Sequence, residues 1–213
     1  EVSIPEIEPV SFPRILLIDA PDTDADELTD DEEVLFGSNQ DVWDTDKDGY
    51  YDGHEVANLY NPNGLAPVKL IDSGLVTEYL NPIWKYRTYY PASWQVGQVD
   101  PEGRQILLST LSGDFIEIRV FSRVPGMSFQ DWFVTSVEGE TFQDILPITN
   151  RFLEQGWKRK DGLVAYFLSD TFVTVRIYHP GVTGAVAYRH VMNVAVQSFR
   201  PTKSSVNIPD QVA

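Results

Sequence analysis

No cysteine occurs among the 213 residues, so disulfides, thiolate metal ligands and cysteine nucleophiles are excluded. Long apolar runs are missing too. The longest, such as Leu163 to Leu168, are strand-sized and fall far short of the ~18 residues that cross a bilayer. The opening residues, EVSIPEIEP, are acidic and proline-punctuated rather than signal-like. A mature or trimmed product, with a signal or anchor already removed, is therefore expected. Histidine is scarce: His54, His179 and His190 stand alone, in no HExxH pattern. GxSxG, Walker and GxGxxG motifs are also absent, so no local pattern announces catalysis or nucleotide binding.

Basic residues are scarce in one region only. Residues 1–64 hold 18 acidic side chains against Arg14 and Lys47, while the remaining residues hold 14 of each sign. The whole net charge of −16 therefore lies in the first third. A nucleic-acid partner is excluded by the lack of a basic face. A block of like charge is usually a solvated tail unless it is patterned.

This one is patterned. Asp22 to Glu33 reads DTDADELTDDEE, and Asp44 to Glu55 reads DTDKDGYYDGHE, 22 residues later. In the second stretch, Asp44, Asp46, Asp48, Asp52 and Glu55 take loop positions 1, 3, 5, 9 and 12, with Gly49 at position 6. That is the EF-hand loop pattern. Calcium takes six to eight hard oxygens at ~2.3–2.6 Å, and short carboxylates at alternate positions of a curled loop converge on one centre. Gly49 permits the positive-φ turn. Tyr50 offers its backbone carbonyl, and Glu55 closes the site from the following helix. The first loop repeats the set with Asp22, Asp24, Asp26, Asp30 and Glu33, and with the Leu28 carbonyl. It has Glu27 where glycine is expected, so a left-handed residue there costs roughly 1 kcal/mol. That site is expected to be weaker, with Asp31 or Asp19 assisting.

Only ten residues, VLFGSNQDVW, separate the loops. They leave room for a helical turn from Glu32 to Phe36, a Gly37 stop and an extended return. Paired EF-hands, each helix–loop–helix, need loop starts about 35 residues apart. The short spacing, the DxDxDG loop and the trailing YNPNG at Tyr60 to Gly64 resemble thrombospondin type 3-like repeats over roughly residues 19–64. Such repeats are common in bacterial surface proteins and have little hydrophobic core. Dockerins also duplicate calcium loops, but favour Asp at position 12 and a longer spacer. Ten ligand carboxylates within 34 residues repel one another. Metal-free, the segment is expected to be largely unfolded, with calcium supplying the folding free energy. Extracellular modules have dissociation constants of ~0.1–1 mM. At ~1 mM calcium each site would add about 1.4 kcal/mol, which favours the cell exterior.

Beyond residue 64 the pattern changes. Residues 65–82 are expected to be a connector holding a short strand or helix between Pro67 and Pro82. Candidate strands are Tyr86 to Tyr90, Trp94 to Val99 and Gln105 to Thr110. Phe115 to Phe121 alternates, with Ile116, Ile118 and Val120 on one face. Leu163 to Leu168 and Phe172 to Tyr178 form an expected hairpin, with Val173, Val175 and Ile177 sharing a face. A helix capped by Ser128 runs through Trp132 and Phe133. Another, Tyr188 to Phe199, carries an apolar stripe. The fold class expected is α+β, an antiparallel sheet flanked by helices, preceded by a core-poor calcium-loop segment. The divisions are 1–64, the connector 65–82, the α+β domain 83–201 and a tail 202–213.

The motifs YYPASWQV at Tyr89 to Val96, FIEIRVF, DWF, a YF-containing strand and the terminal QSFRP at Gln197 to Pro201 are similar in order to the PsbP/Mog1-like family. That resemblance implies a small non-catalytic binding or assembly domain and brings no catalytic residue. His54 is expected at the surface, His179 in a turn, and His190 on the polar side of the last helix. Lys158, Arg159 and Lys160 are expected in a solvated turn. Trp43, Tyr50, Tyr51, Trp84, Tyr89 and Tyr90 are expected to pack the two segments together, with a sugar or protein contact surface as the other choice. The function expected is a calcium-binding exported or cell-surface protein, a stiffened spacer presenting an interaction domain to an unidentified protein or surface partner. The alternatives are a hydrolytic or carbohydrate-active enzyme with structural calcium, using facing carboxylates such as Glu117, Asp131 or Asp170, and a dockerin-like assembly module.

Overall fold

The computed structural model describes residues 10–12 and 18–211. Residues 1–9 and 13–17 of the aspartate segment, and 212–213 of the tail, lie outside the described residues. The elements in chain order are β1 (Val10–Ser11), β2 (Ile18–Asp19), α1 (Asp30–Phe36), α2 (Asp52–Ala57), a 3-10 helix at Leu70–Ser73, β3 (Val76–Asn81), β4 (Tyr86–Pro91), β5 (Gln95–Gln98), β6 (Gln105–Ser109) and β7 (Phe115–Ser122). Then come α3 (Phe129–Ser136), β8 (Val137–Glu138), a 3-10 turn at Phe142–Asp144, β9 (Ile145–Thr149), β10 (Gln155–Arg159), β11 (Val164–Leu168), β12 (Phe172–His179), β13 (Ala185–Val186), α4 (Arg189–Gln197) and β14 (Arg200–Pro201).

Alternating side chains explain the main sheet. In β12, Val173, Val175 and Ile177 bury one face against α3, with Phe129, Trp132 and Phe133. Tyr178 and, in β7, Ile116, Ile118 and Val120 bury the other face under α4, with Val191, Met192 and Ala195. Seven strands pair antiparallel in the order β5-β6-β7-β12-β11-β10-β9. A second sheet has the order β14-β4-β3. The fold is α+β, with helices on both faces of a large antiparallel sheet. Among the described residues no helix is long and apolar enough to cross a membrane.

Several expectations change. The connector is part of the domain, because β3 pairs along β4 from Val76↔Pro91 to Asn81↔Tyr86. Lys158 and Arg159 lie in strand β10, not a turn. Arg159 is nearly buried there, with Nη1 2.9 Å from Glu140 Oε1 and Nη2 2.7 Å from Asp161 Oδ2. Its neighbour β9 carries Pro147, which an edge strand tolerates because its outer face needs no backbone donor.

The aspartate segment has no core of its own. Its large apolar residues Leu28, Phe36, Val56 and Leu59 are fully buried, and they join the cluster under α4. Through these residues the segment expected to act as a stiffened spacer lies against the domain. Burying such side chains contributes ~1.5–3 kcal/mol each, so the segment's attachment has an apolar component besides any metal.

Candidate metal centre

Each aspartate loop is closed by the same bonds. Asp30 N donates to Pro21 O and Asp52 N to Trp43 O, both at 3.0 Å. Asp22 accepts from Ala25 N (2.8 Å) and Glu27 N (3.1 Å). Asp44 accepts from Lys47 N (2.7 Å) and Gly49 N (3.0 Å). Curling demands positive φ at loop positions 4 and 6, supplied by Ala25 (63°) and Glu27 (79°) in one loop and by Lys47 (67°) and Gly49 (100°) in the other. Glu27 thus holds the left-handed conformation, a strain Gly49 does not carry.

Both loops run into short helices. Thr29 caps α1 in a capping box with Glu32, and Gly37 ends that helix at φ 75°. α2 starts at Asp52. The first turns therefore place Glu33 and Glu55 over their loops. One carboxylate oxygen from each of Asp22, Asp24 and Asp26, and from each of Asp44, Asp46 and Asp48, lies within 4.8 Å of its companions.

Several carboxylate oxygens of the two loops have no hydrogen-bond donors. Asp46 accepts from Asp48 N through Oδ1, and Asp48 from Tyr50 N through Oδ1, both at 3.0 Å. Their Oδ2 atoms are buried without partners, as are both oxygens of Asp24, both of Glu33, and Glu55 Oε2. Glu33 and Glu55 are 0% and 1% exposed. A buried carboxylate with no donor or cation is costly. Burial, with neighbouring aspartates adding repulsion, pushes both glutamates up to about 8. Asp24, Asp26, Asp46 and Asp52 are raised as well, burial again leading. A hard divalent cation fits these donors, since oxygen-only, anionic sets suit calcium.

Not every expected ligand aims at a centre. Asp30 accepts from Thr23 N (2.8 Å) and Thr23 Oγ1 (3.0 Å). Asp52 accepts from Thr45 N (2.9 Å) and Thr45 Oγ1 (2.6 Å). Position 9 thus braces position 2 in both loops. Asp26 accepts from Leu28 N and, across the repeat, from Gly53 N, both at 2.8 Å, so the first loop leans on the start of α2. Leu28 puts its side chain in the core. Outside the repeat, Gln211 Nε2 donates to Glu55 Oε1 at 2.9 Å, tying the C-terminal segment to the second loop.

Glu32 was not foreseen. It is fully buried, accepts from Val191 N at 2.9 Å, and lies 3.3 Å from His190 Nδ1. The Glu32 bond raises His190 against the lowering effect of burial. His190 is thus buried at the start of α4, correcting its expected polar-face position. The capping pattern Thr29-x-x-Glu32 was the available signal. His54 is exposed as expected. His179 ends β12, stacked on Phe115 and 3.0 Å from Glu117 Oε2. Of the aromatics, Tyr89 is core, Trp84 meets Phe172 edge-on at 5.2 Å, and Trp43 and Tyr51 meet edge-on at 4.7 Å while staying half-exposed. The last pair, both exposed, is not buried between the segments.

No family model matches the sequence, and no curated protein matches it either. Solved structures that align with it include these two. The solution structure of cyanobacterial PsbP (CyanoP) from Synechocystis sp. PCC 6803 is 10% identical, with a TM-score of 0.42, covering 60% of this chain and 93% of that one. A crystal structure from Bacteroides thetaiotaomicron VPI-5482 is 7% identical, with a TM-score of 0.37, covering 63% of this chain and 52% of that one. At this likeness neither alignment supports a fold or function, and the α+β assignment rests on the strands and helices themselves.

Proposed function

We propose that this is an exported calcium-binding protein in which two calcium ions fasten an acidic segment onto a non-catalytic α+β interaction domain. The carrying observation is the set of buried, donorless carboxylate oxygens on Glu33 and Glu55 above the two aspartate clusters. Asp44, Asp46, Asp48, the Tyr50 carbonyl and Glu55 would hold one ion. Asp22, Asp24, Asp26, the Leu28 carbonyl and Glu33 would hold the other, with Asp30 and Asp52 bracing the loops. Weak, millimolar-range sites fill only where calcium is abundant, which favours an extracytoplasmic location. The domain's partner, a protein or a cell surface, is the remaining part of the proposal.

The enzyme alternative needs two facing carboxylates. Glu117 is engaged by Gln105, Arg119 and His179, and Asp131 by Ser128. The dockerin-like alternative needs a free apolar face on the repeat, and Leu28, Phe36 and Val56 spend theirs within the chain. Calcium titration of the full chain at pH 7 should give two ions bound, with protons released, because Glu33 and Glu55 hold protons below about 8 without metal. Magnesium, which demands a tighter octahedral shell, should bind more weakly. No calcium heat, or uptake without proton release, would defeat the proposal.

A further inference from the structure

A polar cavity of about 390 Å³ lies between the small sheet and the C-terminal segment, away from both aspartate loops. Lys69, Arg87, Tyr89, Phe152 and Arg200 wall it, with residues 204–208 on the other side. Arg87 and Arg200 are direct partners across β4 and β14. Like charges directly opposite on paired strands destabilise a sheet, so this placement calls for an anion.

The chain supplies one. Glu78 pairs with Arg200 Nη2 through Oε2, and its Oε1 is 3.6 Å from Arg87 Nη1. One carboxylate therefore serves two guanidinium groups. Arg200 is 5% exposed, stacked over Phe152 at 4.0 Å and Tyr89 at 4.8 Å, and its Nη1 donates to Ser198 O at 2.7 Å. Such packing presets a guanidinium for recognition. Arg87 Nη2 donates to Ser204 O at 3.0 Å, while its Nε is buried without an acceptor. Lys69 meets Asp210 at 3.2 Å, but that aspartate side chain is 73% exposed. Asp72, also lining the cavity, is exposed too. Exposed carboxylates are screened by water and salt. Among the lining residues, the three cations Lys69, Arg87 and Arg200 face the exposed Asp72, and Glu78 pairs with both arginines from outside the lining.

We propose that this cavity binds a small phosphate monoester, with its oxyanion between Arg87 and Lys69 and above Arg200. With Asp72 and Glu78 both counted, these three cations leave a surplus of one positive charge for an oxyanion such as a phosphate monoester, which carries about −1.5 to −2 at pH 7. Arginine forks suit its oxygens. The volume leaves room for a small organic body beside the phosphate, and Ser204, Ser205 and Asn207 add neutral polar groups.

The test is calorimetric titration of the calcium-loaded full chain with glycerol 2-phosphate, against acetate and chloride at matched ionic strength. One monoester should bind per chain. Arg87→Gln and Lys69→Gln should each weaken it about tenfold, the loss of one charge-assisted contact, and leave calcium uptake unchanged. Lys69 lies in a partly exposed pair, so its variant decides the matter if Arg87→Gln fails to fold. No heat beyond the chloride control, acetate binding as tightly, or unweakened binding in Lys69→Gln would each overturn the proposal.

Discussion

Glu55→Gln should abolish calcium binding at the second loop while stabilising the metal-free protein at alkaline pH. The side chain is 1% exposed. Its Oε1 takes the Gln211 bond at 2.9 Å, and its Oε2 has no partner. An amide keeps the acceptor for Gln211 and removes the charge. Loss of a direct anionic ligand should weaken the site at least about 100-fold, the upper end of what losing a supporting residue costs a metal site. Without metal the sign reverses. Glu55 is pushed up to about 8, so above that pH the native protein must ionise a buried carboxylate beside Asp48, Asp46 and Asp52. The neutral variant avoids that cost and should gain on the order of 1–3 kcal/mol in denaturant unfolding at pH 8.5. Calcium affinity like that of the unsubstituted protein would show that Glu55 is no ligand.

Gly53→Ala should pull the two loops apart. A Cβ there would sit 2.4 Å from Asp26 O and 2.9 Å from Leu28 N, both backbone atoms with no rotamer to relieve the clash. Overpacking of this kind costs about 1–3 kcal/mol and sometimes more, or roughly 3–10 °C in midpoint for a chain of this size. The displaced Asp26 should also weaken the first calcium site, since Gly53 N anchors its Oδ2. Gly49→Ala is the matched control. Nothing lies within 4 Å of its Cβ, so only the positive φ is penalised, by about 1 kcal/mol. Equal losses in the two variants would mean that the contact between the loops matters little.

The two aspartate clusters were legible because each loop places acidic residues at its first, third and fifth positions. Gly37 and the Glu32–Phe36 turn were legible as well, since caps and breakers act within a few residues. The brace at position 9 was not anticipated, although both loops repeat a threonine at position 2, Thr23 and Thr45. In the domain, β7, β11, β12, α3 and α4 follow from alternation and a helical stripe. β9 was hidden by Pro147, which reads as a break unless the strand lies at an edge.

What stayed hidden depends on distance along the chain. Leu28, Phe36, Val56 and Leu59 stand in a mostly acidic and polar background, with no period to announce burial. Their fate is set by α4, over a hundred residues on, and by the sheet. Glu32 is one of four consecutive acidic residues from Asp30 to Glu33, and only Val191 and His190 distinguish it. His190 looked polar-facing because its partner lies 158 residues away in sequence.

Unfolding of the full chain between pH 5.5 and 8.5, with and without calcium, tests the central claim most directly. Glu33 and Glu55 are raised from 4.5 to about 8 in the metal-free fold. Their stabilisation is complete below the unfolded value and fades as pH rises through the folded one. His190, which burial lowers but Glu32 and then Asp26 and Glu27 raise further, adds a trend of the same sign, only part of which calcium removes. The metal-free protein should lose stability steadily toward pH 8.5, and calcium should flatten most of that slope. Parallel curves, with calcium adding nothing at pH 8.5, would contradict the account.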